Sequence, residues 1–281
     1  MRPFPCIQMT NMLRCCAVLL VLTGVLLAAD TQPKKPDPTP AEVQAIIQKF
    51  TQKEAGFAAA RENYTYRQTT KMEETDPAGG SYEMVEEVGF DDRNRRTSHV
   101  THAPVTTLMN IMMDNQDEQD MRNTMPFLFS SADDLADYNI KYIGREQVDE
   151  ISCYVFSVMP KELTKDRKRY FEGQIWVDDQ DIQIVKTFGK GISYQKKSDD
   201  HQFPKFTTYR EQIDDQYWFP TYTYADDTLN FRDGQSQRIK VVIKYDHYKK
   251  YIFKTDTSIS YGEVGNAPAA SKTQSTPAPH Q

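Results

Sequence analysis

Hydrophobic and polar positions alternate most regularly between Arg169 and Asp226. In the first run of this stretch, the apolar residues on one side of the chain follow one another at even spacings: Phe171, Ile175 and Val177. A period of two is the mark of a strand with one buried face. Three further runs follow. Two short aspartate-rich turns and one longer polar break separate the four runs, so the sequence predicts a meander of four antiparallel strands.

The same alternation recurs on both sides of this meander. Strand-like runs begin at Tyr64, and the clearest single strand covers residues 237–245. We count about nine to eleven such runs at near-regular spacing, with helical patterns in only two places. Residues 39–255 are therefore predicted to form a single mainly β domain, built as one curved antiparallel sheet or an open barrel.

The first helical pattern follows Thr39, which can cap a helix. Pro40 suits the first helical position, and Glu42 completes a capping box with the threonine. Apolar residues then recur at helical spacing on one face: Val43, Ile46, Ile47, Phe50 and Phe57. The glutamine, lysine and glutamate residues are assigned to the opposite, polar face. We expect this helix to lie on an apolar surface, with ordinary core packing as the default interpretation.

The second helical pattern lies in residues 104–138, where the strand rhythm stops. This insertion holds five of the eleven methionines, together with a run of phenylalanines. A short helix is predicted from Ser131 to Tyr138. Methionine adapts to variable apolar partners. The insertion is therefore interpreted either as a lid over an apolar cavity or as a loop packed onto the sheet.

The two ends of the chain differ in composition from the β domain. Residues 1–29 have the pattern of a secretory signal, since Arg14 precedes an apolar run of about 15 residues that ends in small residues. An uncleaved anchor is the alternative. We expect residues 30–38 to form a flexible lead and residues 256–281 a disordered tail.

Charge and cysteine content narrow the functional classes. The formal net charge is −6 and no basic block occurs, which argues against a nucleic-acid partner. Cys153 is the one cysteine outside the predicted signal, and its alternation with apolar residues favours a buried structural thiol. No phosphate loop, nucleophile elbow or metal-binding histidine pattern is found, so we predict neither catalysis, cofactor nor metal site.

Tyrosine and phenylalanine together supply thirty residues. A curved sheet with one apolar face, covered by a helix and a methionine-rich insertion, can enclose an apolar cavity. Such cavities hold acyl chains by burial, at about 0.8 kcal/mol for each buried methylene group. The alternative is a filled core without a cavity.

Two short segments resemble a known family. The segment Gly173–Asp178 reads Gly-Gln-Ile-Trp-Val-Asp, and Tyr217–Pro220 reads Tyr-Trp-Phe-Pro. With the order of the elements over about residues 40–253, they resemble the outer-membrane lipoprotein-sorting superfamily, which includes the LolA and LolB type carriers and receptors. The resemblance implies a half-open antiparallel β-barrel with a helical lid. It also implies acyl-chain binding in the periplasm, possible association with the outer membrane, and no cofactor.

The sequence thus predicts a non-enzymatic periplasmic protein that binds a lipid or an acylated lipoprotein. The alternative is a structural or protein-interaction module of the envelope with a filled β core, and a hydrolase is a remote third class. Candidate ligand-binding residues from the predicted lid are Leu108, Met109, Met112, Met113, Phe127 and Phe129. Those from the predicted sheet are Ile175 and Val177.

Overall fold

The computed structural model describes residues 35–91, 93, 95–122, 131–165, 169–194, 204–253 and 259–263. The chain divides into two compact units, residues 1–37 and residues 38–281, and the description below concerns the second. The predicted signal peptide at residues 1–29 and the predicted site residues Phe127 and Phe129 lie outside the described residues.

All the described strands belong to one antiparallel sheet. Its spatial order is β3-β2-β1-β10-β9-β8-β7-β6-β5-β4, and β11 pairs with β10 beside this path. The strands β3 and β4 form its two ends and do not pair with each other in the described part of the chain, so the sheet stays open. This confirms the predicted mainly β, half-open architecture. The strands are β1 (Tyr64–Asp76), β2 (Ala78–Phe90), β3 (Arg96–Thr106), β4 (Tyr138–Val148), β5 (Ile151–Pro160), β6 (Tyr170–Asp178), β7 (Ile184–Ile192), β8 (Phe206–Gln212), β9 (Trp218–Asn230), β10 (Ser236–Phe253) and β11 (Ile259–Glu263).

The helices are α1 (Pro40–Arg61), α2 (Asn115–Arg122) and a 3-10 helix (Ala132–Asp137). The 3-10 helix lies where a short helix was predicted. The charged stretch after the methionine run forms α2, and β11 lies inside the segment predicted as a disordered tail. None of the described helices combines the length and apolar character needed to cross a membrane.

The predicted capping box starts α1. The Glu42 carboxylate accepts the backbone N–H of Thr39 at 2.7 Å, while the Thr39 hydroxyl oxygen accepts the N–H of Glu42 at 3.4 Å. At the middle of the helix, Phe50 packs against Phe156 of β5, with ring centroids 5.3 Å apart. These contacts lay the apolar face of α1 on the inner face of the sheet.

Two apolar clusters fill the inner face. We call the first the lid-side cluster; its buried residues include Phe57, Tyr64, Met72, Tyr82, Met84, Phe219, Val241 and Ile243. We call the second the helix-side cluster; its buried residues include Ile46, Ile47, Phe50, Phe156, Phe171, Ile175 and Val177. Because α1 contributes Phe50 to one cluster and Phe57 to the other, a single helix serves both halves of the sheet.

A row of polar residues crosses the middle of the inner face. Cross-strand pairing aligns Thr70, Ile243, Thr223, Thr208 and Thr187 from β1 to β7. All four threonines are at most 4 % exposed, and the hydroxyl oxygens of Thr208 and Thr223 are 2.8 Å apart. A mutual hydrogen bond lets these hydroxyl groups be buried at little cost. The inner face is therefore less uniformly apolar than the period of two predicts.

Cys153 lies on the opposite, outer face of the sheet, packed with Val155, Trp176 and Val185. Burial first, and then the neighbouring carboxylates of Asp178 and Asp179, raise the pKa of its thiol to about 12. A thiol with such a pKa stays protonated at neutral pH and is a poor nucleophile. The predicted structural role of Cys153 agrees with this environment.

A buried ion pair joins α1 to β8. The guanidinium of Arg210 donates to both carboxylate oxygens of Glu54, at 2.7 and 2.8 Å, and each side chain is 3 % exposed. The Arg210 guanidinium also lies 5.4 Å from the ring centre of Phe57. The assignment of the α1 glutamates to a polar outer face is therefore wrong for Glu54. It occupies the apolar stripe between Phe50 and Phe57, where its charge is compensated by a partner from a distant strand.

We expect Glu54→Ala to reduce the free energy of unfolding by about 3–5 kcal/mol, because it leaves the Arg210 charge buried without its carboxylate. The double variant Glu54→Leu/Arg210→Met should recover most of this loss. Urea denaturation measures the free energy of unfolding of the single and the double variant. As a matched control, Arg67→Ala at the half-exposed Arg67–Glu87 pair should cost less than about 1 kcal/mol. Equal losses of unfolding free energy at the two pairs would show that the buried pair does not stabilise the packing of α1 on the sheet.

Candidate functional site

The candidate site lies where residues 107–122, which we call the lid segment, cross the inner face beside β1 and β2. The segment leaves the end of β3, and the N–H of Thr107 donates to the Ser81 carbonyl at 2.8 Å. Residues 107–114 form neither helix nor strand, and α2 follows them. Four partly buried apolar side chains of the segment pack against the lid-side cluster: Leu108, Ile111, Met113 and Met121.

A single carboxylate anchors the beginning of the lid segment. Glu74, near the end of β1, accepts the backbone N–H groups of Met109, Asn110 and Ile111 at 2.9, 2.8 and 2.7 Å. It also accepts the N–H of Gly80 at 2.8 Å. Glu74 is 5 % exposed. Its charge is therefore distributed over four N–H donors rather than paired with a cation.

The β1–β2 hairpin must be glycine-rich for the lid segment to approach this closely. A Cβ atom added at Gly80 would lie 1.7 Å from the carbonyl oxygen of Thr107. A Cβ atom at Gly79 would lie 2.0 Å from Oε2 of Glu74. Both positions therefore leave room for backbone and carboxylate but not for a side chain.

Two opposing effects act on the pKa of Glu74. Burial alone would raise the pKa, but the hydrogen bonds from the backbone N–H groups of Met109, Gly80, Asn110 and Ile111 outweigh it, and the pKa lies below its usual value. The carboxylate is thus held in its charged form at neutral pH, which is the form that accepts the four N–H groups.

A second polar anchor holds the end of the lid segment. The side-chain amide of Gln68 in β1 donates to the carbonyl of Arg122, the last residue of α2, at 3.3 Å. The Arg122 guanidinium reaches the sulfur of Met84 in β2, at 3.2 Å. Beside them, Arg96 donates to Glu86 at 2.6 Å, and Glu86 is fully buried. The lid segment is therefore tied to the sheet by polar contacts at both ends and lies on apolar side chains in between.

The structure divides the predicted site residues into separate groups. Leu108 and Met113 pack against the lid-side cluster, whereas Met109 and Met112 face solvent and are 79 % and 95 % exposed.

Ile175 and Val177 belong to the helix-side cluster and are 0 % exposed. They lie among Ile46, Ile47 and Phe50 of α1. In the described part of the structure, the candidate residues from the lid and those from the sheet therefore do not line one common binding surface.

The clefts in the part of the chain that the structure describes include two open ones. One of about 590 Å³ lies on the sheet, lined by residues of β1, β2, β3 and β10 that include Arg67, His99 and Lys249. The other, of about 620 Å³, lies between α1, the 3-10 helix and β4. Neither is lined by a predicted site residue. No group of three or more potential metal ligands occurs among the described side chains.

Neither Glu74 nor Arg122 was among the site residues predicted from the sequence. The signal for Glu74 was present, because the period of two that places Tyr64, Tyr66 and Met72 on the inner face of β1 also places Glu74 there. A charged residue in a buried register requires partners. Three of its four partners come from a segment more than thirty residues away, so the sequence could indicate the need for partners but not the loop that supplies them.

We expect Glu74→Gln to release the lid segment and to cost about 1.5–3 kcal/mol, because a neutral amide replaces a charged acceptor. Hydrogen exchange of the Met109, Asn110, Ile111 and Gly80 amides should accelerate. Since the folded pKa is lowered, the stabilisation is present above the unfolded pKa of about 4.3 and is lost as the pH falls through the folded value.

Glu73→Gln, on the exposed face of the same strand, is the matched control and should leave these amides unchanged. If Glu74→Gln keeps the wild-type exchange rates and the wild-type decline in stability below pH 4.3, this anchor is not the one that holds the segment.

Comparison with solved structures finds several chains that are similar to this one at low sequence identity. A LolA superfamily protein from Nitrosomonas europaea is 13 % identical, with a TM-score of 0.35; the match covers 75 % of this chain and 94 % of that one. A DUF1329 family protein from Desulfovibrio piger is also 13 % identical, with a TM-score of 0.35 and coverage of 80 % and 96 %. An outer membrane lipoprotein-sorting protein domain from Vibrio parahaemolyticus is 10 % identical, with a TM-score of 0.31 and coverage of 75 % and 94 %.

No family model and no curated protein sequence matches the chain. The structural neighbours include members of the superfamily that Gly173–Asp178 resembles. The open antiparallel sheet of this chain agrees with the fold that the resemblance implies.

Proposed function

We propose that this protein is a non-enzymatic binding protein of the cell envelope that holds an acyl chain between the lid segment and the lid-side cluster. The observation that carries the proposal is the way the lid segment is attached. Polar anchors at Glu74 and Gln68 hold its two ends, while four apolar side chains in between are only partly buried. A segment attached in this way can lift its middle without unfolding the sheet.

The chemistry under the lid segment suits an acyl chain. Met113 and Met121 have unbranched, flexible side chains that can withdraw from the cluster and be replaced by a chain of methylene groups. Each methylene group buried in this way contributes about 0.8 kcal/mol. The ligand would thus take over the contacts that Leu108, Ile111, Met113 and Met121 make with the lid-side cluster.

The proposed site uses part of the predicted residue set. Leu108 and Met113 are retained as ligand-binding residues, and Phe127 and Phe129 remain predictions. Met109 and Met112 face solvent and would contact the donor membrane rather than the bound acyl chain. Ile175 and Val177 remain predicted ligand residues for a state in which α1 also moves.

The cellular context belongs to the same proposal. We infer export by the segment at residues 1–29, a short lead at residues 30–38 and action in the periplasm on a lipid or an acylated lipoprotein. The single β domain would then present the lid segment to a membrane or to a lipoprotein donor. The buried and protonated Cys153 thiol is consistent with a role in binding rather than catalysis.

A second candidate function rests on the helix-side cluster. Ile175, Val177 and Phe156 are each 0 % exposed beneath α1, which is the filled core of the alternative interpretation. In that case the protein would be an interaction module of the envelope. The end strand β4 and the exposed apolar residues Ile143 and Met159 would then face a protein partner.

Native mass spectrometry of protein purified from an envelope fraction tests the proposal, followed by titration of stripped protein with a fluorescent fatty acid. We expect a discrete extra mass that extracts as a lipid or an acylated peptide. Met113→Asp should weaken fatty-acid binding by about tenfold or more, because it places a charge on the apolar surface beneath the lid segment.

Met109→Asp is the matched control, since the same substitution four residues earlier changes a side chain that is 79 % exposed. The affinity of the Met109→Asp variant for the fatty acid should stay near that of the wild type. A bare protein mass, with no uptake of the fatty acid by the stripped wild type, would rule out the acyl-chain site and favour the interaction module.

A further inference from the structure

The second anchor of the lid segment contains an arginine whose charge is weakly compensated. The Arg122 guanidinium lies 3.2 Å from the sulfur of Met84, and a thioether is a weak acceptor. The carboxylate of Glu118, one turn earlier in α2, is 3.8 Å away. The buried Nε of Arg122 has no hydrogen-bond partner among the described residues. Donor capacity therefore remains on this guanidinium.

A second arginine is linked to this anchor through Gln68. The side-chain carbonyl oxygen of Gln68 accepts from Arg96 at 3.5 Å, while its side-chain amide donates to the backbone carbonyl of Arg122 at 3.3 Å. Arg96 is already paired with the buried Glu86, at 2.6 Å. Since the ion pair of Arg122 with Glu118 is longer, at 3.8 Å, Arg122 is the less tightly paired of the two arginines.

A third arginine lies near Arg96. Burial lowers the pKa of Arg61, at the end of α1, and the charge of nearby Arg96 lowers it further, while Tyr66, Tyr248 and Glu62 oppose these two effects. An anion that reaches Arg96 would therefore also be attracted by Arg61. Partial burial would strengthen each of its hydrogen bonds.

The arginine also borders the apolar surface. Met84, which the guanidinium contacts, is 1 % exposed and belongs to the lid-side cluster on which Leu108, Met113 and Met121 pack. A ligand on this cluster would therefore have an apolar part beneath the lid segment and one end beside Arg122. Molecules with a long apolar tail and one charged end fit both surfaces.

We propose that Arg122, supported by Arg96, binds the anionic end of the ligand, a carboxylate or a phosphate, while the acyl chain lies on the lid-side cluster. This inference rests on the proposed acyl-chain function and adds the charge class of the ligand to it. The planar guanidinium can donate two parallel hydrogen bonds to either anion. Glu118 competes for the same guanidinium, so ligand binding would displace a weak contact within α2.

Three probes with the same tail length test the inference: palmitate, hexadecyl phosphate and hexadecanol. Each is titrated by displacement of a fluorescent reporter from the stripped full chain. The wild type should bind one or both anions more tightly than hexadecanol. Arg122→Gln should lose about tenfold or more of the anion affinity, the equivalent of one charge-assisted hydrogen bond, and should keep the wild-type affinity for hexadecanol.

Two further variants separate charge from structure. Arg122→Lys keeps the positive charge and should retain part of the preference for anions. Glu118→Gln removes the competing carboxylate and should raise the anion affinity above that of the wild type. Far-UV circular dichroism and the unchanged hexadecanol affinity would show that each variant remains folded.

The outcomes distinguish the inference from the function on which it rests. Equal affinities of the wild type for all three probes, unchanged in Arg122→Gln, would overturn the anion site and leave the acyl-chain site in place. Failure of all three probes to bind would overturn the proposed function itself. A preference for palmitate alone or for hexadecyl phosphate alone would support the inference and identify the anion as a carboxylate or a phosphate.

Discussion

An open sheet must cover its apolar inner face without closing on itself, and the rest of this structure depends on how α1 meets that constraint. The helix spans both halves of the sheet because Phe50 enters the helix-side cluster and Phe57 enters the lid-side cluster. The bidentate pair between Glu54 and Arg210 lies between these two contacts in the chain and sets the register of the helix on the sheet. A purely apolar helix face could slide, whereas a buried charge must meet its partner.

The same physical rule shapes the lid segment. Its apolar side chains are only partly buried, and charged and polar groups of the sheet hold its two ends. Glu74 gathers four N–H donors, three of them from consecutive residues of the segment, and Gln68 holds the end of α2. Such contacts are directional and can be broken one anchor at a time. An apolar ligand and a polar attachment therefore need not compete for the same surface.

The difference between the two clusters bears on function. Beneath α1, Ile175 and Phe156 are completely buried and pack with residues of regular secondary structure. Beneath the lid segment, the covering side chains are partly buried, and three of the four come from residues without regular structure. The energy needed to expose a cluster depends on what covers it. The lid side is thus the part of the inner face that can open at lower cost, and it is also the part bordered by the arginines.

The sequence by itself determined the fold class, the extent of α1 and most strands, because these depend on local periodicity and capping. The period of two marks β6 through Ile175 and Val177, and Thr39 with Glu42 marks the start of α1. Only the tertiary structure decided which of the predicted site residues meet. It separated Leu108 and Met113 from Ile175 and Val177 because the order of strands, rather than the spacing within any one, decides which side chains share a cluster. It also gave Glu54, Glu74 and Arg122 their roles, since each depends on a partner or surface contributed by another element of the fold.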